Sequence, residues 1–308
     1  MKFVPRPYQK LIVDHIQLHD RAAVWAGMGL GKTVATLTAI EQLQRAGMGP
    51  ALILAPLRVA QSTWPDEIAK WDHLRHLRVA VVTGSPAHRR AALATDADVY
   101  CTNYESLPWL VEALDGAWPF DMVVADESTR LKSFRTRQGG TRAQALASVA
   151  FRSERFVELT GTPASNGLLD LWGQFWFLDK GERLGKSMSQ YQEKFFRPVR
   201  VGNSAFAIRW EPMPFTEEAV LSRTKSLALK LNAEDWFPLE KPVVATVSVD
   251  LPKKARAAYD SMEADFFVSV DEGVIEAANA AVKTGKLLQL AGGALYGDEL
   301  SPEKPYEV

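Results

Sequence analysis

The sequence predicts an α/β protein with a doubly wound parallel sheet at its centre. Three observations carry that expectation: six short apolar runs between residues 22 and 159, helical stretches between them, and a glycine-rich turn directly after the first run. The runs are residues 22–25, 51–54, 79–82, 99–101, 122–125 and 156–159. Most are apolar at consecutive positions, as strands covered on both faces are. Strand–helix–strand repeated in one direction builds a parallel sheet with helices on both sides.

Between the first two runs, Val34, Leu37, Ile40 and Leu43 recur at three-residue spacing, and Gly47 is placed to end the helix. Ser85-Pro86 reads as an N-cap followed by proline at the first helical position. After about residue 171 the texture changes. Residues 172–238 hold Trp172, Trp176, Trp210 and Trp236, several prolines and no clear strand alternation, which predicts a mostly helical insertion. Alternation returns over 243–249, predicting a strand, followed by helices over about 255–267 and 279–290; residues 301–305 read as a loop. At roughly 150 residues per domain, 308 residues imply two domains or one with a large appendage.

Composition narrows the function classes. Apolar residues make up 47% and charged residues 24%, which excludes a disordered chain. The net charge of −1, from 36 Lys+Arg against 37 Asp+Glu, excludes a globally basic nucleic-acid binder but not a local basic face. The single cysteine, Cys101, excludes an internal disulfide framework and a cysteine-rich zinc site, and reads as a small core residue. No apolar h-region marks the N-terminus, and no apolar run approaches the ~20 residues of a membrane helix. The expectation is a cytoplasmic protein. His15 with His19, and His73 with His76, sit at helical spacing but lack the acid or cysteine of a zinc motif, and read as surface histidines.

Two motifs carry chemistry. Gly27-Met28-Gly29-Leu30-Gly31-Lys32-Thr33 follows a predicted strand and opens a predicted helix, the context of a phosphate-binding loop. Gly27, Gly29 and Gly31 let backbone N–H groups approach phosphate oxygens, and the helix start adds its positive end. Lys32 supplies a charge to the β/γ-phosphates, and the Thr33 hydroxyl is placed to ligate Mg²⁺. Ala26 stands where the usual spelling has its first glycine. The second motif is the apolar run 122–125 ending in Asp126-Glu127. Carboxylates at the C-terminal end of a sheet strand lie where ligands bind in such folds. With the phosphate loop upstream, Asp126 would hold the magnesium and Glu127 would orient or deprotonate an attacking water.

With these motifs placed, the chain resembles a superfamily 2 helicase of the Snf2-like translocase group. Arg6-Pro7-Tyr8-Gln9 is similar to that family's start, Met28 to Thr33 to its phosphate loop, and Trp64, Glu67, Lys70 and Trp71 to the segment after its second strand. Thr102-Asn103-Tyr104-Glu105, Asp126-Glu127 through Lys132, and Leu159-Thr160-Gly161-Thr162-Pro163 to Asn166 follow. Leu221, Arg223, Lys225 and Tyr259 resemble its protrusion and second lobe. The resemblance implies a RecA-like ATP-binding lobe over 1–171, a helical protrusion over 172–240, and an incomplete second α/β lobe over 241–308. It implies ATP and Mg²⁺ as cofactors, Gln9 on the adenine, Thr160 and Thr162 coupling nucleotide state to DNA, and backbone contacts from Arg58, Thr102 and Asn103. One departure is Thr129, where the family usually has histidine. Another is the lack of the late motifs with their arginine finger, a group worth about three orders of magnitude or more in rate, so low ATP hydrolysis is expected of this chain.

From residue 130 to 142 the chain carries Arg130, Lys132, Arg135, Arg137 and Arg142 with no acid, a local anion site suited to sequence-independent phosphate contacts. Trp64 and Trp71, flanked by aliphatics, read as packing residues rather than base platforms. The resulting expectation is the ATP-hydrolysing lobe of a double-stranded DNA translocase that works with a second RecA-like lobe and no membrane. The alternatives are a nucleotide or DNA binding module without turnover, and the motor of a strand-separating helicase or restriction system.

Overall fold

The computed structural model describes residues 1–137, 140–200, 208–237, 245–265, 267–270, 273–276, 280–295 and 306–307. The chain divides into two compact units, residues 1–239 and 240–308.

The first unit is built on a seven-stranded sheet. Its strands are β1 (Arg21–Ala26), β2 (Ala51–Ala55), β3 (Val79–Val81), β4 (Val99–Asn103), β5 (Met122–Asp126), β6 (Arg155–Thr160) and, late in the chain, β9 (Ala228–Leu231). Their order is β3-β4-β2-β5-β6-β1-β9, and every pairing is parallel. All six strands expected from the apolar runs are present.

Alternate strand residues feed two separate cores. Ala22, Val24, Ala51, Ile53, Met122, Val124, Val157 and Leu159 face one layer, with α1 (Pro7–Leu18), α2 (Lys32–Arg45) and α3 (Trp64–Lys70). Ala23, Trp25, Leu52, Leu54, Val123, Ala125 and Phe156 face the other, with α5 (Leu107–Ala113), α6 (Thr141–Val149) and α7 (Asp170–Asp179). A strand buried on both faces has no polar side to show. That is why the runs are continuously apolar.

Local chemistry sets the helix ends. The α4 helix (Pro86–Leu93) starts as expected, with the Ser85 hydroxyl accepting the His88 N–H at 3.3 Å. The α2 helix runs through the predicted apolar positions, and Gly47 beyond its end has φ +105°, a conformation open to glycine.

The insertion over 172–240 is less helical than its composition suggests. It carries α7, α8 (Met188–Phe195) and α9 (Thr216–Thr224), but also an antiparallel pair, β7 (Phe196–Arg200) with β8 (Ile208–Pro212), and the edge strand β9. Neither hairpin strand is buried on both faces, and Arg197 and Arg209 pair with Glu211 on its surface, so no apolar run announces it. The β9 strand is four residues long and joins β1 through register Ala23↔Ala228. His15 on α1 anchors that edge, its ring hydrogen-bonded to the Leu227 carbonyl at 3.0 Å. His15 and His73 are thus half-buried, not surface residues; the His73 ring meets the Thr38 hydroxyl at 2.9 Å.

The second unit contains α10 (Lys253–Asp265), an antiparallel pair β10 (Phe267–Val270) with β11 (Gly273–Glu276), α11 (Ala280–Ala291), and a short pair β12 (Ala294–Leu295) with β13 (Tyr306–Glu307). Its two helices lie where the sequence predicts them. The strand expected over 243–249 does not form over its described part, 245–249, where Val247 and Val249 are exposed. An alternating run becomes a strand only with a partner edge, and 245–250 pair with none. The predicted loop 301–305 lies outside the described residues. No described helix is long and apolar enough to cross a membrane.

Among the buried polar residues, Glu158 on β6 is the one whose whole carboxylate is left without a hydrogen-bond partner among the described residues. It is fully buried between Phe156 and Thr160. Burial first, and the Asp179 charge second, raise its pKa well above the usual carboxylate range. The folded state thus binds this proton more tightly than the unfolded state. The stability it confers is full below the ordinary glutamate pKa and is lost as pH rises through the folded value. Replacing Glu158 with Gln should raise the melting temperature at pH 8 more than at pH 5; thermal denaturation across that range checks it.

Candidate nucleotide site and its anion-facing edge

Parallel strands place all their C-terminal ends at one edge, and the motif residues collect there. The phosphate loop leaves β1 at Ala26. Gly29 (φ +79°) and Gly31 (φ +68°) are left-handed, and Gly31 caps α2. A side chain at either position would be strained. At Gly31 a Cβ would also lie 2.3 Å from the Gln9 side-chain amide nitrogen, so Gln9 abuts the loop. The Gln9 carboxamide oxygen is held by the Arg6 N–H at 2.9 Å, leaving its amide nitrogen toward the loop.

The Lys32 ammonium folds over this turn, donating to the Ala26 and Gly27 carbonyls at 2.6 and 3.1 Å. Burial holds its pKa below the ordinary lysine value, while Asp126 and Glu127 oppose that shift. Thr33 is half-buried beside it at the start of α2.

Two strands away, Asp126 ends β5. Its Oδ2 accepts a hydrogen bond from the Trp64 indole at 3.0 Å, and its backbone carbonyl accepts one from the Tyr104 hydroxyl at 2.8 Å. Burial raises the Asp126 pKa; the Trp64 bond and the Lys32 charge oppose it. Glu127 adopts φ +58°, a left-handed conformation costing about 1–3 kcal/mol for a non-glycine residue. Its Oε1 accepts from both the Thr129 hydroxyl and the Thr160 hydroxyl, the latter at 3.3 Å. Thr160 in turn accepts the Thr162 N–H at 3.1 Å, linking the loop after β6 to the acidic pair. Thr129 is therefore a local partner of Glu127.

Chemically, these residues fit a magnesium–triphosphate. A glycine cradle, a lysine at a helix start and a hydroxyl face two carboxylates, one of them partly desolvated. Lys32, Thr33, Asp126 and Glu127 thus share one edge with Gln9, Thr160 and Thr162.

The residues expected to contact nucleic acid fall into two groups. Arg58 and Arg137 are exposed. Arg130 and Arg142 are also exposed but share Glu105, at 3.2 and 2.7 Å, and Lys132 meets Asp170 at 3.4 Å. The acids absent from the run 130–142 are thus supplied by other segments. Arg130, Lys132 and Arg142, with Tyr104 and Thr129, line a pocket of about 220 Å³. The Arg135 guanidinium turns inward to the Lys132 and Phe134 carbonyls, and burial lowers its pKa. Thr102 is fully buried, its hydroxyl donating to the Val82 carbonyl at 2.7 Å, and Asn103 is engaged by Glu105 and Ser106. The side chains of Thr102 and Asn103 therefore organise the strand end from within.

Sequence reasoning missed the roles of Trp64 and Tyr104 at Asp126. The sequence signals were the places of Trp64 and Tyr104 in segments resembling family motifs, which name the residues but not their bonds to Asp126. Cys101, in β4, is fully buried with its thiol pKa raised by burial, an inert core group.

Comparison with known proteins gives this edge its context. The SNF2-related domain model matches residues 25–290. Protein p41 of Acyrthosiphon pisum secondary endosymbiont phage 1 is 50% identical over 301 residues, covering 96% of this chain and 65% of that protein. Helicase SWR1 of Kluyveromyces lactis is 32% identical over 187 residues, 56% of this chain and 11% of its own. The SWI2/SNF2 ATPase core of Sulfolobus solfataricus, solved in complex with dsDNA, has the same fold: TM-score 0.61, 22% identity, 95% of this chain and 58% of that one. The chain thus spans 65% of the phage relative's length and 58% of the archaeal core's. A family match that runs from β1 through α11, over a seven-stranded parallel sheet with its motifs at one edge, makes this chain a member of the SNF2-related domain family, with the α/β RecA-like fold of Snf2-type superfamily 2 helicases.

Proposed function

We propose that the chain is the ATP-binding and ATP-hydrolysing lobe of a motor that moves along double-stranded DNA. The observation that carries this reading is the convergence of the loop from Gly27 to Thr33 with Asp126 and Glu127, where both carboxylates act on the Lys32 ammonium. Lys32 would hold the β- and γ-phosphates, Thr33 and Asp126 the Mg²⁺, and Gln9 the adenine edge. Glu127, its carboxylate fixed by Thr129 and Thr160, would orient the attacking water and take its proton. The bound metal would supply neutralisation of the charge that develops on the phosphoryl oxygens. Thr160 and Thr162 would carry the state of that site into the loop after β6. In the whole protein, this lobe (1–171), its insertion (172–240) and the segment from 241 would work with a second RecA-like lobe. An arginine from that lobe would add about three or more orders of magnitude to the rate, so slow hydrolysis is expected of residues 1–308 by themselves.

Duplex DNA would suit the exposed cations Arg58, Arg130, Arg137 and Arg142 as a track, since phosphate contacts position a protein without reading sequence. The archaeal relative's complex with dsDNA supports the same choice.

Separate readouts test the two halves of the reading. Lys32→Ala should abolish binding of a fluorescent ATP analogue, whereas Glu127→Gln should bind it with wild-type affinity and hydrolyse ATP about 10²–10⁴-fold more slowly. Unchanged affinity in Lys32→Ala would overturn the phosphate assignment.

For DNA, the double variant Arg58→Glu/Arg137→Glu should weaken duplex binding and flatten the plot of log affinity against log salt by about 0.9 per lost phosphate contact. Arg135→Gln, at an inward-facing site, should leave that slope unchanged. A duplex titration at several salt concentrations reads both outcomes.

A further inference from the structure

Asp126 is gripped from opposite faces of the sheet. The Trp64 ring lies in the core layer shared with α1 and α2, and Tyr104 lies in the layer shared with α5 to α7. Both rings are fully buried, at 0% and 2% exposure. Each spends its one polar group on Asp126: the indole N–H on the carboxylate at 3.0 Å, the phenol O–H on the backbone carbonyl at 2.8 Å. A buried aromatic donor needs a partner, and here both share one residue.

Each ring also sits in the segment that follows a strand, Trp64 after β2 and Tyr104 after β4. Trp64 follows a wide helical turn, residues Val59–Thr63, in which the Trp64 N–H reaches back five residues to the Val59 carbonyl. That extra residue per turn rotates the indole inward onto Asp126, while Arg58 at the start of the turn stays exposed. The same turn is fastened to the end of β3 by Gln61, whose amide donates to the Thr83 hydroxyl at 3.2 Å. Tyr104 follows Asn103 directly, and the exposed Arg130 lies over its ring at 5.8 Å. The paths from an exposed cation to Asp126 are therefore short: six residues and one hydrogen bond from Arg58 through Trp64, or one ring contact and one hydrogen bond from Arg130 through Tyr104.

We propose that Trp64 and Tyr104 are positioning residues that couple the anion-facing edge to the metal-holding carboxylate of Asp126. This rests on the nucleotide and DNA reading above and deepens it. A phosphate backbone drawn onto Arg58 or Arg130 moves the first turn after β2 or β4, and the two aromatic donors transmit that shift to Asp126. Two rigid rings packed in buried layers make the connection stiff. Without the donors, Asp126 would hold Mg²⁺ less well and would not respond to DNA.

The test uses Trp64→Phe and Tyr104→Phe, which keep an aromatic ring and delete the donor. Binding of a fluorescent ATP analogue is titrated with Mg²⁺, with and without duplex DNA, and without Mg²⁺ as a control. Wild type should show a half-saturating Mg²⁺ concentration that falls by at least about threefold when DNA is added. Each variant should require about tenfold more Mg²⁺, the low end for loss of an outer-shell partner, and should lose the DNA effect while metal-free affinity stays unchanged. A purely structural role would instead weaken metal-free and metal-dependent binding together, and would overturn the proposal. So would variants that titrate like wild type, or a wild type whose Mg²⁺ titration ignores DNA while nucleotide binding remains normal; that last result leaves the ATP reading standing. A wild type that binds no nucleotide overturns both. If Trp64→Phe does not fold, the near-isosteric Tyr104→Phe decides alone.

Discussion

The parallel alignment of the seven strands is the constraint on which the rest depends. Hydrogen bonding in register from β3 across to β9 gives every strand the same direction. Each connection must then cross a face of the sheet, and helices bury both faces. The C-terminal ends all emerge together, so residues 26–33, 56–64, 102–105, 126–132 and 160–163 become neighbours although they span 138 positions of sequence.

How much of this was legible in the sequence follows from the same constraint. A strand buried on both faces writes itself as a continuous apolar run, and six of the seven strands were readable that way. β9 was not, because Ala-Leu-Lys-Leu at an edge is short and half-exposed. The β7–β8 hairpin was hidden for a related reason: its surface is polar, and composition cannot separate a polar hairpin from a polar helix. In the site, Gly27 to Thr33 and Asp126-Glu127 were legible because each is contiguous and its neighbours in sequence fix its conformation. The basic run from Arg130 to Arg142 was legible as charge but not as balance. Glu105 and Asp170 answer it from 25 or more residues away, a pairing that only the folded chain reveals. Trp64 was visible as a packing residue in a family-like segment, but not as a donor to Asp126. Its indole direction is set by a wide turn whose extra residue leaves no mark in the sequence.

Glu127 shows how the site holds a conformation that the chain would not choose alone. A left-handed glutamate is unfavourable by about 1–3 kcal/mol, yet the apolar strand before it and the short helical turn after it leave no other path. Two hydroxyl donors, from Thr129 and Thr160, then fix the carboxylate, and each such bond to a charged group contributes about 1.5–3 kcal/mol. The local strain is thus offset by bonds that also link the acidic pair to the loop after β6. Thr129 is one of the two donors. At this position the Snf2 group usually has histidine, and a hydroxyl two residues on returns to Glu127 itself, leaving Thr160 as the link to the β6 loop.

The electrostatics of Lys32 and Asp126 follow from shared burial. Each alone would shift toward its neutral form, lysine downward and aspartate upward, and those are the directions burial imposes. Each charge opposes the other's shift, so the pair stays ionised more readily than either would alone. Arrival of a triphosphate gives Lys32 more negative partners, and arrival of a divalent cation gives Asp126 a positive one. Both ligands relieve a desolvation that the fold has already imposed, and they do so together, because a metal without phosphate leaves Lys32 beside an added positive charge. Under the proposed assignment of phosphate to Lys32 and metal to Asp126, this geometry would favour the metal–nucleotide pair over either component. The Trp64 and Tyr104 bonds matter because they fix where Asp126 stands when that pair arrives.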